Sequence, residues 1–130
     1  MKRVALMALT VALLSTPAYA ITEFNKQWKA KYLGDDVPGD FLTAGRKAGC
    51  NVCHVKGEDK KEVRNEYGAA VMKFLKAEDF PKDRIKEEPE KVKEEILAGF
   101  KKAGEEKSKD GKSFADKIKA GELPATDAGL

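Results

Sequence analysis

The chain is poor in the side chains that most often build metal clusters and catalytic centres. Its 130 residues include one histidine, two cysteines and one tryptophan, and aromatic residues make up 8%. One histidine and two cysteines supply three donors, one short of the four of a structural zinc site. No glycine-rich phosphate loop and no nucleophile beside a general base occurs, so nothing marks the chain as an enzyme. Apolar and polar residues never alternate at period two for long enough to argue a sheet. No apolar run reaches the roughly 20 residues of a membrane-spanning helix. Internal repeats and long low-complexity tracts are missing too. What remains is a helix-period pattern of one-domain length, and the expected fold class is all-α.

The longest apolar run, Val4 to Leu14, follows Lys2 and Arg3 and precedes Ser15-Thr16-Pro17-Ala18-Tyr19-Ala20. A short positive start, an apolar middle and small residues at a cleavage site are the parts of a secretory signal peptide. Residues 1–20 are therefore expected to be a leader, cut after Ala20 or, as a variant, after Ala18. A membrane anchor is the competing use, and the run is too short for it. The next residue is Ile21 rather than cysteine, so no lipid anchor is expected. Residues 21–130 are then expected to form a single domain, periplasmic or otherwise exported, with no membrane span. Removing residues 1–20 takes away Lys2 and Arg3 and no acidic residue, which lowers the formal charge from +3 to +1. The whole-chain pI of 8.8 thus overstates how basic the working protein is, and nucleic acid is not an expected partner. The charges are mixed in sign, as on a solvated helical surface.

Helix signals recur along the domain. Thr22 can cap a first helix, in which Phe24, Trp28 and Tyr32 form one stripe before Gly34 ends it. Asp35 to Asp40 reads as a loop through Pro38 and Gly39, and Phe41 to Ala48 as a short helix. After a charged loop from Lys56 to Lys61, a helix is expected over Glu62 to Ala77, with Val63, Tyr67, Ala70, Val71 and Phe74 on one face. Asp79-Phe80-Pro81 breaks the chain. Pro89 fits the first turn of the next helix, whose stripe is Val92, Ile96, Phe100 and Ala103. A last helix, about Ser113 to Ala120, carries Phe114 and Ile118. Gly121 and Pro124 stop it, and residues 124–130 are expected to be a flexible tail. Glu87, Glu88, Glu90, Glu94 and Glu95 alternate with lysines, as on a solvated helix face rather than in an acid–base pair.

Both cysteines and the histidine fall within five residues, Cys50-Asn51-Val52-Cys53-His54. C-x-x-C-H is the attachment motif for a c-type haem. On a helical turn, residues three apart face the same side, so Cys50 and Cys53 can present two sulfurs to one ligand. Three other uses of these residues stand beside it: a zinc site, a dithiol redox pair and a structural disulfide. Zinc would lack a fourth ligand, and the dithiol pair would lack the βαβ setting in which it is usually found. An oxidising compartment would permit the disulfide.

In these five residues the chain resembles the cytochrome c family. The resemblance implies a small helical domain wrapped around one covalent haem c. It implies that the thiols of Cys50 and Cys53 add to the haem vinyl groups and that His54 is the proximal iron ligand. Small cytochromes of that family commonly supply a downstream methionine as second axial ligand. Residues 21–130 contain one methionine, Met72, 18 residues after His54. On the helix wheel Met72 lies away from the Tyr67 stripe, beside Gly68 and Leu75, and that glycine would let a flat haem approach. The other reading of Met72 is a half-exposed helix residue or gap filler, with a lysine, water or nothing as sixth ligand. The stretch Arg64-Asn65-Glu66-Tyr67-Gly68 is similar to one in small cytochrome-like proteins and carries no assigned function. Phe24, Trp28, Phe41, Phe74, Ile96, Phe100 and Phe114 are the apolar residues available to wrap the cofactor. Trp28 and Phe24 are also placed to pack against Ile96 and Phe100 in an ordinary core.

The function implied is electron transfer with transient redox partner proteins. A ligand-binding or sensor haem protein, or a weak peroxidase with an open distal site, is the alternative. A structural role within a larger redox assembly is a third. Oligomeric state is not specified by these features.

Overall fold

A computed structural model describes residues 18–130. Most of the expected leader, residues 1–17, lies outside the described residues. Ala18 to Ala20 form the first turn of a helix. The described residues contain six α-helices: α1 (Ala18–Tyr32), α2 (Gly39–Ala48), α3 (Glu66–Phe74), α4 (Lys82–Glu87), α5 (Pro89–Glu105) and α6 (Phe114–Lys119). Short 3-10 turns span Gly49–Val52 and Ala77–Asp79. No strand occurs among the described residues. Two isolated antiparallel bridges, His54 with Arg64 and Lys107 with Ser113, are the extended pairings. The fold class is all-α, as the helix-period pattern implies.

The apolar face of α5 is the centre of the packing. Val92, Ile96, Phe100 and Ala103, one residue per turn, are all buried, and α5 meets α1, α3, α4 and α6. Pro89 occupies its first turn, where a missing N–H costs nothing. Trp28 of α1 is buried and donates from Nε1 to the Tyr67 hydroxyl of α3 at 3.0 Å, which ties those two helices together. Tyr67 also meets the ring of Phe114 of α6 edge-on at 5.2 Å.

Four boundaries differ from the sequence reading, each for a local reason. First, α1 begins at Ala18 rather than at a Thr22 cap, because Ala18 to Ile21 contains no glycine or proline to stop it. Second, α3 begins at Glu66 rather than Glu62. Asn65 is its cap, accepting from the Gly68 N–H at 2.8 Å, and the residues before it are taken up by the His54–Arg64 bridge. Val63 therefore lies outside the helix, and Phe74, expected on the core face, is exposed. Third, the short helix α4 follows Pro81 directly where a break was expected, because proline opens a helix as readily as it ends one.

Fourth, residues 124–130, expected as a flexible tail, are packed. Pro124 and Ala128 are buried, and the Ala128 carbonyl accepts from the Lys56 N–H at 2.8 Å. Asp127 accepts from the Glu66 N–H at 2.9 Å and pairs with Lys109 at 2.9 Å. The partners are distant in sequence, so no local signal in the tail announces them.

Candidate functional site

The segment carrying Cys50, Cys53 and His54 is shaped by its neighbours on both sides. Gly49 ends α2 with φ of +53°, a left-handed conformation that disfavours any side chain, and turns the chain into the 3-10 turn. The N–H groups of Cys53 and His54 both donate to the Cys50 carbonyl, each at 3.2 Å. The chain then loops out through Gly57 and returns at Val63 to Asn65.

Asn65 holds the returning segment against the motif. It is fully buried, at 0% exposure. Its amide Nδ2 donates to the carbonyls of Val52 at 2.9 Å, Asn51 at 3.1 Å and His54 at 3.2 Å, so two N–H bonds are shared among three acceptors. Its backbone N–H donates to the Cys53 carbonyl at 3.0 Å. One residue thus caps α3 and secures four carbonyls of the C-x-x-C-H segment. Gly68 completes the fit. A Cβ there would collide with the Cys53 carbonyl, so only glycine lets α3 lie this close to the motif. Gly68 was expected to let a flat haem approach; the group packed against it is instead the backbone of Cys53.

The Nδ1 of His54 lies 3.1 Å from the Val63 carbonyl. A carbonyl only accepts, so Nδ1 is the donor, and in a neutral imidazole the lone pair is then on Nε2. An imidazole oriented in this way is prepared to bind a metal through Nε2.

Cys50, Cys53, His54 and Met72 all line one cleft of about 240 Å³. Its walls are largely apolar: Ile21, Phe24 and Trp28 from α1, Val52 from the turn, Gly68 and Val71 from α3, then Leu75, Ala77 and Phe100. Asn25, Arg64 and Glu78 add polar groups. Gly68, Val71, Met72 and Leu75 recur at the spacing of a second helical face, separate from the buried Tyr67 and Ala70. The mouth is open, since Cys50 is exposed and Met72 and Ile21 are 40% and 45% exposed. Of the apolar residues expected to wrap a cofactor, Phe24, Trp28 and Phe100 line the cleft. Phe41, Ile96 and Phe114 are buried elsewhere in the core, and Phe74 faces a different groove. Trp28 serves both the core and the cleft wall.

The thiols are free. Burial, reinforced by the neighbouring Cys50 and opposed by Arg64, pushes the Cys53 thiol up to about 12. That is the reverse of the depressed value that makes a thiolate reactive in dithiol exchange. Among the described residues, no three His, Cys, Asp or Glu side chains converge as a metal cluster, which is what a zinc site requires. Two thiols, an imidazole and a thioether instead share one cleft with largely apolar walls, and donors and lining of that kind are compatible with a metal-centred macrocycle such as a haem.

Sequence reasoning missed Asn65 and Arg64, although both lie in a stretch it had singled out. An asparagine three residues before a glycine, at the start of an apolar helix, was the available sign of the cap. The chain matches no family model, no curated protein and no solved structure.

Proposed function

We propose that this protein is an exported electron carrier holding one covalent haem c. The observation that carries the proposal is that Cys50, Cys53, His54 and Met72 all line a single, largely apolar cleft, with His54 Nδ1 directed at the Val63 carbonyl. Cys50 and Cys53 would each add S–H across a haem vinyl group, sulfur to one carbon and hydrogen to the other, with no oxidant consumed. His54 would ligate the iron through Nε2, with Nδ1 held by Val63. Met72 would be the second axial ligand. When bound, the haem supplies one-electron chemistry by alternating between ferrous and ferric iron. The chain's own contribution is to fix the ligands, exclude water with Trp28, Val71 and Phe100, and hold the attachment loop through Asn65. Partners would be redox proteins met briefly at the open mouth of the cleft. The leader pattern of residues 1–20 supports export to the periplasm, a compartment suited to such attachment.

A second reading has one observation in its favour. Met72 is 40% exposed, so its thioether is less confined than a buried ligand would be. If the iron's sixth position opens readily, the protein is a ligand-binding or sensor haem protein, or a weak peroxidase.

The test is a visible spectrum of the reduced mature protein, made in a host that attaches haem, before and after carbon monoxide. The expected result is covalent haem with a spectrum unchanged by carbon monoxide. Rapid carbon monoxide binding would favour the second reading. Absence of covalent haem would remove both.

A further inference from the structure

We propose that Arg64 anchors a carboxylate of the group held in the cleft, which on the haem reading above is a propionate. Arg64 is the one Lys or Arg among the residues lining that cleft. It is half-buried, its charge acts on the Cys53 thiol, and its guanidinium is in no hydrogen bond or salt bridge with another described residue. Glu78, the one acidic residue lining the cleft, forms no salt bridge with it. Arg84 shows what this chain does with an arginine that serves structure: it pairs with Glu95 at 2.6 Å and Glu88 at 3.4 Å, and donates to the Asp79 carbonyl at 2.8 Å.

The position of Arg64 is not accidental flexibility. Its backbone pairs with His54, and the next residue, Asn65, is bonded to the Cys53 carbonyl. Its Cα is therefore set by the same contacts that set the attachment loop. A cation beside an apolar wall loses hydration and regains it only from an anion or from solvent. The planar guanidinium matches a carboxylate through two parallel N–H bonds. The ligand class this selects is a mostly apolar body bearing a carboxylate, and a haem carries two.

The proposal rests on the haem reading, and the experiment separates their failures. The full chain and its R64Q and R64K variants are made with haem attached. Covalent haem is counted by pyridine haemochrome, the midpoint potential is measured, and resonance Raman follows the propionate bending band, which reports hydrogen bonding to that carboxylate. In R64Q, the band is expected to move and the potential to fall, because an unneutralised carboxylate favours the ferric state. R64K keeps the charge without the fork, so its band moves while its potential stays nearer the wild type. An unmoved band in R64Q overturns the proposal, whether or not the potential shifts, since charge alone acts without a bond. Should R64Q attach no haem, R64K is read instead, and an unmoved band there overturns it equally. A wild-type chain without covalent haem removes the haem reading and this anchor together.

Discussion

Asn65 and Glu66 are consecutive residues that secure two different segments of the chain. Asn65 is buried and neutral, and its amide serves the carbonyls of the C-x-x-C-H segment. Glu66 is half-buried and ionised, and gathers donors from the C-terminal region. Its carboxylate accepts from Ser108 Oγ at 2.7 Å, the Lys109 N–H at 2.7 Å, and the N–H and Oγ1 of Thr126 at 2.8 and 2.9 Å. The two anchors differ in how they respond to solvent. A buried amide has no charge to lose, so the Asn65 clamp itself does not titrate. A carboxylate held by four donors is strong only while ionised, so the tail side depends on pH.

The comparison breaks most sharply at Asn65. Asn65→Ala removes a helix cap worth about 1 kcal/mol and strands buried carbonyls at roughly 1–3 kcal/mol more. A loss of about 2–4 kcal/mol in urea unfolding is expected, with reduced haem attachment. A loss under about 0.5 kcal/mol would show that the clamp contributes little. Gly68→Ala comes next. The added methyl meets the Cys53 carbonyl, and separation of α3 from the attachment loop is expected to cost about 1–3 kcal/mol. Calorimetry would detect it, and an unchanged melting temperature would mean the backbone yields freely.

Glu66 sharpens the contrast through pH. Burial pushes its carboxyl up, but hydrogen bonds from Ser108, Thr126 and Lys109 outweigh burial and hold it down to about 2. A depressed folded value means the stabilisation is complete above the ordinary carboxylate range. It is lost as pH falls from about 4.5 toward 2. Glu66→Gln is expected to cost roughly 1–2 kcal/mol at pH 7, discounted for solvent screening, and to lessen the acid sensitivity. Parallel pH slopes in the variant and the wild type would place that sensitivity elsewhere. Met72→Ala should have the smallest effect on stability, within about 0.5 kcal/mol, because the side chain is exposed. Its expected consequence is spectral: a lowered potential and carbon monoxide binding in the reduced state. An unchanged reduced spectrum would show that Met72 is not a ligand.

How much was legible in advance follows the range of the interactions involved. The stripe of Val92, Ile96, Phe100 and Ala103 was readable because helical periodicity is local, and all four are buried as expected. Cys50, Cys53 and His54 were readable as a constellation because they are neighbours. The start of α3 was misread because the apolar pattern at Val63 continues the helix period, while the Asn65 cap and the bridge to His54 overrule it. Phe74 shares a helix face with the buried Tyr67 but is the last residue of α3, and there it is exposed.

From its sequence alone, then, the protein was determined to be helical, with its two cysteines and single histidine in one short segment. Those properties depend on residues at most a few positions apart. Only the tertiary structure decided that Met72, Arg64 and Trp28 share a cleft with that segment, that Asn65 clamps it, and that residues 124–130 are held by Lys56 and Glu66. Each of those contacts joins positions more than ten residues apart or depends on which face of a helix is turned inward. Both are settled by packing around α5, and neither leaves a periodic trace in the chain.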